Sequence, residues 1–495
     1  MKNRYVMALD QGTTGSRAFI FDSRGKVVSS DYKEFKQYFP KPGWVEHDAQ
    51  EIWQSMADVI KGALRKSKIP AGQIAAIGIT NQRETTVVWN RKTGKPVAKA
   101  IVWQCRRTAD ICKRLKHHEK KFKHKTGLVL DPYFSGTKIK WLLDNVKGLR
   151  KKAAKKQLCF GTIDTWLIWN LTGGKSHVTD MTNASRTLVF NIRQMKWDTE
   201  LLKILNIPSS ILPEVKNSGS IFGKTVKNAT GLPAGIPIAA VLGDQQAALY
   251  GQGCYEAGTV KNTYGTGCFI VLNTGKNLIY SKKGLLSTVA SDDQGKPIYA
   301  LEGSIFIAGA VVQWIRDQLG VIKKSSDIEK AVVGLKDSQG VYFVPAFAGL
   351  GAPYWNSSAR GIITGLTRGA NVKHIMRAAL ESMAYQTKDV IDVMKNELGH
   401  NLRELKVDGG ACRNNALMQF QADILNCRIA RPEIIDSTAQ GAAYLAGVTV
   451  GIWKGKKDLQ RLNKVEKIFR PAMKEPQRKI LCQGWQKAVR QAQTP

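Results

Sequence analysis

The 495-residue sequence predicts an α/β protein with mixed sheets, divided into two domains. Three observations lead to this fold class. The chain exceeds the size at which a single core usually splits. Strand-like apolar runs alternate with amphipathic helical runs in the N-terminal half. A strand–turn–strand unit with a Gly/Thr turn occurs near the start and again at Gly258 to Gly275, which indicates two related domains that face each other.

The first of these units is the stretch ALDQGTTGSRAFIFD, Ala8 to Asp22. Its turn offers backbone N–H groups, two hydroxyls and a guanidinium to an anion, and Asp10 is placed to hold a cation. A cation and an anion in one turn indicate a metal–nucleotide site. The alternative is an ordinary hairpin with a polar tip.

The next elements follow from periodicity. Residues 49–67 predict an amphipathic helix, and residues 73–80 a buried strand that leads into the polar loop NQRET. Residues 86–90 predict another strand. Residues 301–320 predict a helix in which small residues allow close approach, and residues 478–492 a last helix. The apolar side of the first helix carries Ile52, Met56, Val59, Ile60 and Ala63, and the small residues of the later helix are Ala308, Gly309 and Ala310.

Two polar clusters interrupt apolar segments as a catalytic site requires. Arg83 and Glu84 lie side by side after a strand, where they can bind the hydroxyls of a polyol. Taken alone, this pair fits an exposed loop better. Asp244 lies between a buried strand and a helix and can accept the proton of an attacking hydroxyl. A helix N-cap is the alternative, and by sequence alone it is favoured.

Three more segments have a functional and a structural interpretation. Trp103 and Tyr133 follow a short strand and a Pro turn, and they fit a site or a core equally well. The stretch LKVDGGACRNN, 405–415, runs from a strand through two glycines into a helix. Such glycines let the backbone approach adenosine or phosphate closely, whereas a plain turn is the alternative.

The charge is strongly basic, with 75 Lys and Arg against 39 Asp and Glu, a net charge of +36. It concentrates in residues 113–125, in residues 147–156 and near the C-terminus. A basic surface can bind nucleic acid or anionic membranes, or attract anionic ligands. The basic runs contain no stacking aromatic pattern, and no nucleic-acid motif accompanies them, so solvated helix faces are the favoured interpretation.

The eight cysteines form no C-x-x-C pair, which argues against a zinc site and a disulfide framework. The sequence has no apolar run long enough to cross a bilayer, and its start has no signal-peptide h-region. These features predict a cytoplasmic protein without membrane insertion.

Taken in order, the loop motifs resemble the FGGY family of carbohydrate kinases. The resemblance extends over roughly residues 4–455 and includes both family signature segments, YFSGTKIKWLLDN (133–145) and GIITGLTRGANVKHIMRAALE (361–381). The other matching motifs are LDQGTTGSR, KPGWVEHD, ITNQRETT, IVWQCRR, TNASRT, GDQQAAL, NTYGTGCF, PAFAGLGAPYW, GLTRG and VDGGACRNN.

The resemblance implies two actin- and hexokinase-like (ribonuclease H-like) domains with a cleft between them. Residues 1–250 would bind glycerol and phosphate and supply the base, and residues 251–495 would bind the nucleotide. It implies that Asp10 helps to hold Mg²⁺ and that Asp244 is the general base. The implied substrate contacts are Arg83, Glu84, Trp103, Tyr133, Asp244, Gln245 and Phe269. The implied nucleotide contacts are Thr13, Thr14, Gly15, Arg17, Thr266, Gly309, Gln313, Gly410 and Asn414.

The resemblance further implies transfer of a phosphoryl group from ATP to glycerol, giving sn-glycerol 3-phosphate and ADP as the first step of glycerol catabolism. Relatives form dimers and tetramers, so a homodimer or homotetramer is expected, with no specific nucleic-acid partner. Two regulatory features of some relatives are missing. The segment VKNATGLPAGIP (226–237) lacks the arginine that binds fructose 1,6-bisphosphate, and no phosphorylatable histidine lies between Ile211 and Ile238.

Two alternatives remain. The chain could be a family member that phosphorylates another polyol or a ketose, although Trp103, Phe269 and the Arg83–Glu84 pair resemble the glycerol pocket in particular. It could instead be a basic scaffold that retains an inactive kinase fold. That second alternative predicts damaged catalytic loops, whereas Asp10, Thr14 and Asp244 are all present.

Overall fold

The computed structural model describes residues 5–227, 230–356 and 358–494. Its first half contains a large mixed sheet, several short strand pairs and nine described α-helices. The strands are β1 Tyr5–Gln11, β2 Gly15–Phe21, β3 Val27–Glu34, β4 Glu46–His47, β5 Ile74–Asn81, β6 Val87–Asn90, β7 Ala100–Ile101, β8 Leu158–Gly161, β9 Val178–Asp180, β10 Phe190–Asn191, β11 Lys196–Trp197, β12 Glu214–Lys216, β13 Gly223–Lys224 and β14 Pro237–Gly243. The helices are α1 Ala49–Ser67, α2 Ala109–Arg114, α3 Glu119–Thr126, α4 Ser135–Asn145, α5 Leu149–Ala154, α6 Ile163–Leu171, α7 Met181–Ala184, α8 Thr199–Leu205 and α9 Asp244–Gly251.

The second half is built in the same way, with one large mixed sheet and flanking helices. The strands are β15 Val260–Tyr264, β16 Cys268–Gly275, β17 Leu286–Ser291, β18 Pro297–Ile305, β19 Tyr342–Val344, β20 Ile362–Thr364, β21 Glu404–Asp408, β22 Arg428–Pro432 and β23 Val465–Phe469. The helices are α10 Gly309–Asp317, α11 Asp327–Val332, α12 Val372–Leu398, α13 Asn415–Leu425, α14 Ser437–Thr449, α15 Lys456–Leu462 and α16 Glu475–Gln493.

The two large sheets share one strand pattern. In the first, β3, β2 and β1 are antiparallel neighbours, and β5 and β14 then continue in parallel. In the second, β18, β16 and β15 are antiparallel, and β21 and β22 continue in parallel. The Gly/Thr turns join β1 to β2 in the first sheet and β15 to β16 in the second, so they occupy equivalent positions in the two sheets. The sequence-based prediction of two related α/β domains with mixed sheets is therefore confirmed.

Several elements agree with the sequence prediction, and one does not. Helix α1 spans residues 49–67 as predicted, and its five predicted apolar residues are all buried. The predicted helix at 301–320 is wrong in its first part, because Leu301–Ile305 belongs to β18, which pairs with β16 and β17. Only Gly309–Asp317 is helical there.

Helix α14 comes late in the chain but packs against the first sheet. A Cβ on Gly78 of β5 would lie 2.1 Å from Ala442 O, and one on Gly441 would lie 1.9 Å from Ala247 O of α9. Glycine is required at both positions because the backbones approach so closely. The helix thus joins the two halves through an apolar contact that includes Ala442, Ala443 and Ala446.

The surface and the cysteines agree with the compositional arguments. Most basic side chains of α3 and α5 are exposed or half-buried, as expected for solvated helix faces. All eight cysteines are free, and seven of them are buried. Within the described ranges, no helix combines the length and apolar character that a membrane crossing needs.

Candidate active site

A buried cluster of charges lies where β5 ends and the two halves meet. Arg83 bonds both oxygens of Glu302 of β18, from Nη1 at 2.5 Å and from Nη2 at 3.2 Å. Arg186 donates to Glu302 at 2.8 Å and to Glu84 at 2.6 Å. All four side chains are at most 2 % exposed. The exposed-loop interpretation of Arg83 and Glu84 is therefore wrong.

The two carboxylates of this cluster differ in their electrostatics, because burial raises the pKa of Glu84 despite the nearby Arg186 and Arg83. Burial alone would raise the pKa of Glu302, but the Arg186 and Arg83 guanidiniums lower it to about 2. The backbone of Glu84 is in the left-handed region, with φ of +60°, which is unfavourable for any residue other than glycine. Its carbonyl accepts hydrogen bonds from Ser135 and Thr86, and these hold the conformation. Such strain is typical of functional sites.

Asp244 is the first residue of α9 and lies beside Arg83. Its Oδ1 forms an ion pair with Arg83 Nε at 3.0 Å and accepts a hydrogen bond from the backbone N–H of Gln245 at 2.7 Å. The N-cap interpretation is wrong, because Gly243 occupies that position and has no side chain to cap the helix. The Asp244 side chain stays 31 % exposed, so one carboxylate oxygen is fixed while the group faces open space.

Three aromatic rings form a wall next to these polar groups. Trp103 makes edge contacts with Tyr133 and Phe269, with ring centroids 5.6 and 6.3 Å apart. Its indole N–H donates to Thr13 Oγ1 at 2.9 Å, so the wall also contacts the first Gly/Thr turn. Burial and the charge of Glu84 raise the pKa of Tyr133, which keeps this phenol protonated. The wall therefore joins residues of both halves.

The first turn places a half-buried acid, Asp10, beside an ion pair. Burial raises the pKa of Asp10 to about 7, and Asp244 and Asp436 add to the rise while Arg17 opposes it. The Asp10 carboxylate accepts no hydrogen bond from the described residues. Arg17 Nη1 lies 3.1 Å from Asp436 Oδ1, and both side chains are nearly half exposed. Such an exposed pair contributes at most about 1 kcal/mol, so an anion can displace Asp436 from Arg17.

The rest of the first turn presents open backbone. Thr14 is exposed, and Gly15 begins β2 against the ring of Tyr32, where a Cβ would lie 2.4 Å from the ring. Gly15 is thus a close-packing position in this structure. Gly12 N donates to Gly15 O and Thr13 Oγ1 accepts from Trp103, whereas the Thr14 hydroxyl forms no hydrogen bond with the described residues.

The second turn joins the start of α10. Thr266 O accepts from the N–H groups of Ala308 and Ala310, and Gly265 O accepts from Gly309 N at 3.0 Å. The Gln313 side chain is exposed, one turn further along the helix, and makes no hydrogen bond to the described residues. Thr266 and Gly309 thus lie together, whereas Gln313 contacts neither of them through a hydrogen bond.

The double-glycine segment follows β21, the parallel neighbour of β15. Gly410 is exposed, and a Cβ there would meet nothing within 4 Å. Asn414 caps α13, because its side chain accepts from Leu417 N at 2.8 Å. Neither residue forms a hydrogen bond with the other predicted site residues within the described ranges. They share with Thr266 only the same edge of the second sheet.

Sequence reasoning missed three charged residues of this region: Glu302, Arg186 and Lys261. Glu302 interrupts the apolar run YALEGSIF, and a lone acid in a buried strand is a usable signal for a paired charge. Arg186 lies in the motif TNASRT, but the motif does not tell which partner it has. Lys261, fully buried in β15, has the same lone-charge signature in the run TVKNTYG.

The two sheets of equivalent order, with Gly/Thr turns and a charged cleft between them, define the class of actin- and hexokinase-like two-domain proteins. Comparison with known proteins gives the family. The model of the N-terminal domain of the FGGY family of carbohydrate kinases matches residues 5–251, and the model of the C-terminal domain matches residues 260–450. The chain belongs to the FGGY family of carbohydrate kinases.

Relatives within this family are very similar over the full length. The chain is 58% identical to the glycerol kinases of Caldanaerobacter subterraneus subsp. tengcongensis and of Clostridium botulinum strain Hall, over 99% of this chain and 98% of each relative. A crystal structure of Plasmodium falciparum glycerol kinase with ADP matches with 37% identity and a TM-score of 0.93, covering 100% of this chain and 99% of that one. A ligand-bound xylulose kinase from Lactobacillus acidophilus, 23% identical with a TM-score of 0.86, shares the fold.

Proposed function

We propose that this chain transfers the γ-phosphoryl group of ATP to glycerol and releases sn-glycerol 3-phosphate and ADP, the first step of glycerol catabolism. Asp244 is the general base, and Mg-ATP is held between the two domains. Relatives 58% identical over nearly the whole chain are glycerol kinases, which supports the substrate. In this proposal residues 1–250 bind glycerol and supply the base, and residues 251–495 bind the nucleotide.

The geometry of Asp244 is the observation that carries the proposed mechanism. Arg83 Nε and the Gln245 N–H both hold Oδ1, which leaves Oδ2 to accept a hydrogen bond from a substrate hydroxyl. As the hydroxyl oxygen attacks the γ-phosphorus, its proton passes to Oδ2, and the bond to the β-phosphate oxygen breaks. The Arg83 guanidinium keeps the carboxylate in one orientation throughout.

The surrounding side chains suit a small polyol. Arg83, Glu84, Tyr133, Asp244 and Gln245 supply donors and acceptors for three hydroxyls. Trp103 and Phe269 supply an apolar wall for the carbon edge, and their contact across the two halves encloses the site. Closure of the two halves excludes water, which would otherwise compete as the phosphoryl acceptor.

The phosphates are assigned to the two Gly/Thr turns. Thr13, Thr14, Gly15 and Arg17 of the first turn and Thr266 of the second would contact phosphate oxygens. Gly309, Gln313, Gly410 and Asn414 would contact the rest of the nucleotide. The exposed Arg17–Asp436 pair supports this assignment, because Arg17 is available to an anion.

Asp10 is the residue that would hold Mg²⁺. Its carboxylate has no hydrogen-bond donor in the described chain, and carboxylate oxygens are the ligands that this ion prefers. Burial and two nearby acids make its charged form unfavourable without a cation, so the residue fits the metal. Bound Mg²⁺ supplies positive charge to the phosphate oxygens.

The experiment that tests this proposal measures ADP release with ATP and Mg²⁺, with and without glycerol. We expect glycerol-dependent release, and we expect Asp244→Asn to reduce it by roughly 10²- to 10⁴-fold, the range for loss of a general base. The control is Asp58→Asn, which should leave the rate unchanged. Asp58 lies on the surface of α1, where its carboxylate pairs with Lys33 of β3.

Other acceptors distinguish the alternative within the family. Erythritol, ribulose and xylulose are tested beside glycerol at equal concentration. Release that ignores glycerol and appears with a ketose would assign the chain to a sister activity. No release with any acceptor would favour the scaffold alternative.

Assembly and location are also proposals. We propose a homodimer or homotetramer, which sedimentation of the purified chain tests directly. The eight free cysteines fit a reducing compartment, which supports a cytoplasmic location.

A further inference from the structure

Lys261 is a fully buried lysine of β15 that the proposed mechanism does not use. Its ammonium donates to three oxygens: Gln245 Oε1 at 2.5 Å, Thr263 Oγ1 at 2.8 Å and Phe269 O at 3.2 Å. An ammonium carries three N–H groups and no acceptor, so every donor has a partner. Two of the three partners belong to the proposed polyol site.

The contacts of Lys261 connect the two halves of the molecule. Gln245 is the second residue of α9 in the first half, whereas Lys261 and Phe269 lie on the neighbouring strands β15 and β16 of the second. One side chain therefore contacts the Gln245 amide in the first half and the backbone carbonyl of Phe269 in the second.

Lys261 also determines which end of the Gln245 amide is hydrogen-bonded. Because an ammonium only donates, the atom that faces it is the amide oxygen. The Gln245 NH₂ group then points away from Lys261, and it donates to none of the described residues. Gln245 is thus left with a free donor rather than a free acceptor.

Lys261 lies at the unfavourable end of α9, because a cation beside a helix N-terminus opposes the helix dipole. Burial lowers the pKa of Lys261 to about 8, although Asp408 and Asp244 favour its charged form. Lys406, the register partner of Lys261 on β21, has the opposite arrangement, because it donates to Gln252 O at the C-terminus of the same helix. Lys261 also compensates the charge of the buried Asp408, so its contact with Gln245 is a second role and not its only one.

We propose that Lys261 is a positioning residue of the polyol site, which holds the Gln245 amide so that its NH₂ group faces the substrate. The pocket then requires an oxygen acceptor, such as a hydroxyl, at that point. This inference rests on the proposed function, because it takes Gln245 as a substrate-binding residue.

The test is a double-mutant cycle with Lys261→Met, Gln245→Ala and the pair. We expect Lys261→Met to raise the KM for glycerol roughly tenfold, the effect of one misplaced hydrogen bond, and to leave the KM for ATP unchanged. In the Gln245→Ala background the second change should add nothing to the glycerol KM, because Lys261 acts through Gln245. Lys406→Met is the matched control and should leave both KM values unchanged.

Glycerol binding without ATP, measured by isothermal titration calorimetry, gives a second readout. Gln245→Glu keeps a partner for Lys261 but removes the donor, so it should weaken glycerol binding while the melting temperature stays unchanged or rises. This variant decides the question if Lys261→Met does not fold. Unchanged glycerol binding in Gln245→Glu, or additive effects in the cycle, would overturn the inference.

Failure of the proposed function would look different. The unmodified chain would then release no ADP with glycerol. ADP release by the unmodified chain is therefore measured before the variants are tested. Glycerol-dependent release by the unmodified chain together with an unchanged glycerol KM in Lys261→Met would defeat the inference alone.

Discussion

At the scale of single residues, the buried charges around Arg83 are balanced only as a set. Arg83 and Arg186 share Glu302, and Arg186 also holds Glu84. Each charge is far from water, so its cost is offset only while its partners remain. Arg83 and Glu84 were predicted as site residues from their position after β5, but their burial was not predicted. Their burial depends on the charge of Glu302, which is more than 200 residues away in the chain.

The first prediction concerns Glu302→Gln, which leaves two buried guanidiniums with too little negative charge. We expect the free energy of unfolding to fall by about 3–5 kcal/mol, measured by chemical denaturation. Glu256→Gln removes the exposed partner of Lys456, which is itself one-third exposed, and should cost less than about 1 kcal/mol. Equal losses in the two variants would contradict this account.

The second prediction concerns Asp164, which accepts from Thr162 at 2.5 Å and from Thr179 at 2.6 Å. Burial, with a contribution from Asp180, raises its pKa to about 7. The folded protein therefore binds a proton at Asp164 between about pH 4 and 7 that the unfolded chain has lost, and stability falls as the pH rises through this window.

Asp164→Asn should remove this loss. The free energy of unfolding of the variant, relative to that of the unmodified protein, should be higher at pH 8 than at pH 5, by up to a few kcal/mol. If the two proteins differ in unfolding free energy by the same amount at both pH values, the pKa of Asp164 is not raised.

At the scale of elements, α9 and α14 form a close backbone contact between the two halves. Gly441 lies against the backbone of α9, and its missing side chain makes the contact possible. The sequence shows small residues throughout α14, but not which helix they meet. The same lack of long-range information explains why residues 301–305 were wrongly predicted to be helical. These residues belong to β18, which forms because it pairs with β16 and β17.

The third prediction concerns Gly441→Ala. Alanine favours helices, but its Cβ would lie 1.9 Å from Ala247 O, so we expect a net loss of roughly 1–3 kcal/mol in unfolding free energy. Gly72→Ala is the control, because a Cβ there meets nothing within 4 Å, and its effect should stay within about 0.5 kcal/mol. A stabilised Gly441→Ala variant would show that the helices separate easily.

At the scale of the whole molecule, the net charge of +36 dominates the long-range electrostatics. Like charges repel in the compact state, and dissolved salt screens them over about 10 Å at 0.1 M. The two-domain fold and its mixed sheets could be predicted from the chain length, from the alternation of strands and helices in the first half, and from the strand–turn–strand unit that recurs in the second. The cleft contacts could not, because they join segments distant in sequence.

The fourth prediction is that salt stabilises this protein. The melting temperature should rise between 0.02 and 0.5 M KCl, measured without nucleotide so that nucleotide binding does not contribute. A lower melting temperature in high salt would mean that the ion pairs outweigh the repulsion.

The position of α14 has a consequence for cutting the chain. A fragment that ends near residue 251 would contain all of the first sheet but would lack the helix that covers β5 and α9. Its exposed apolar face would make it aggregate. Co-expressed with the complementary fragment it should refold, so the junction between the halves suits a split reporter whose signal depends on reassembly.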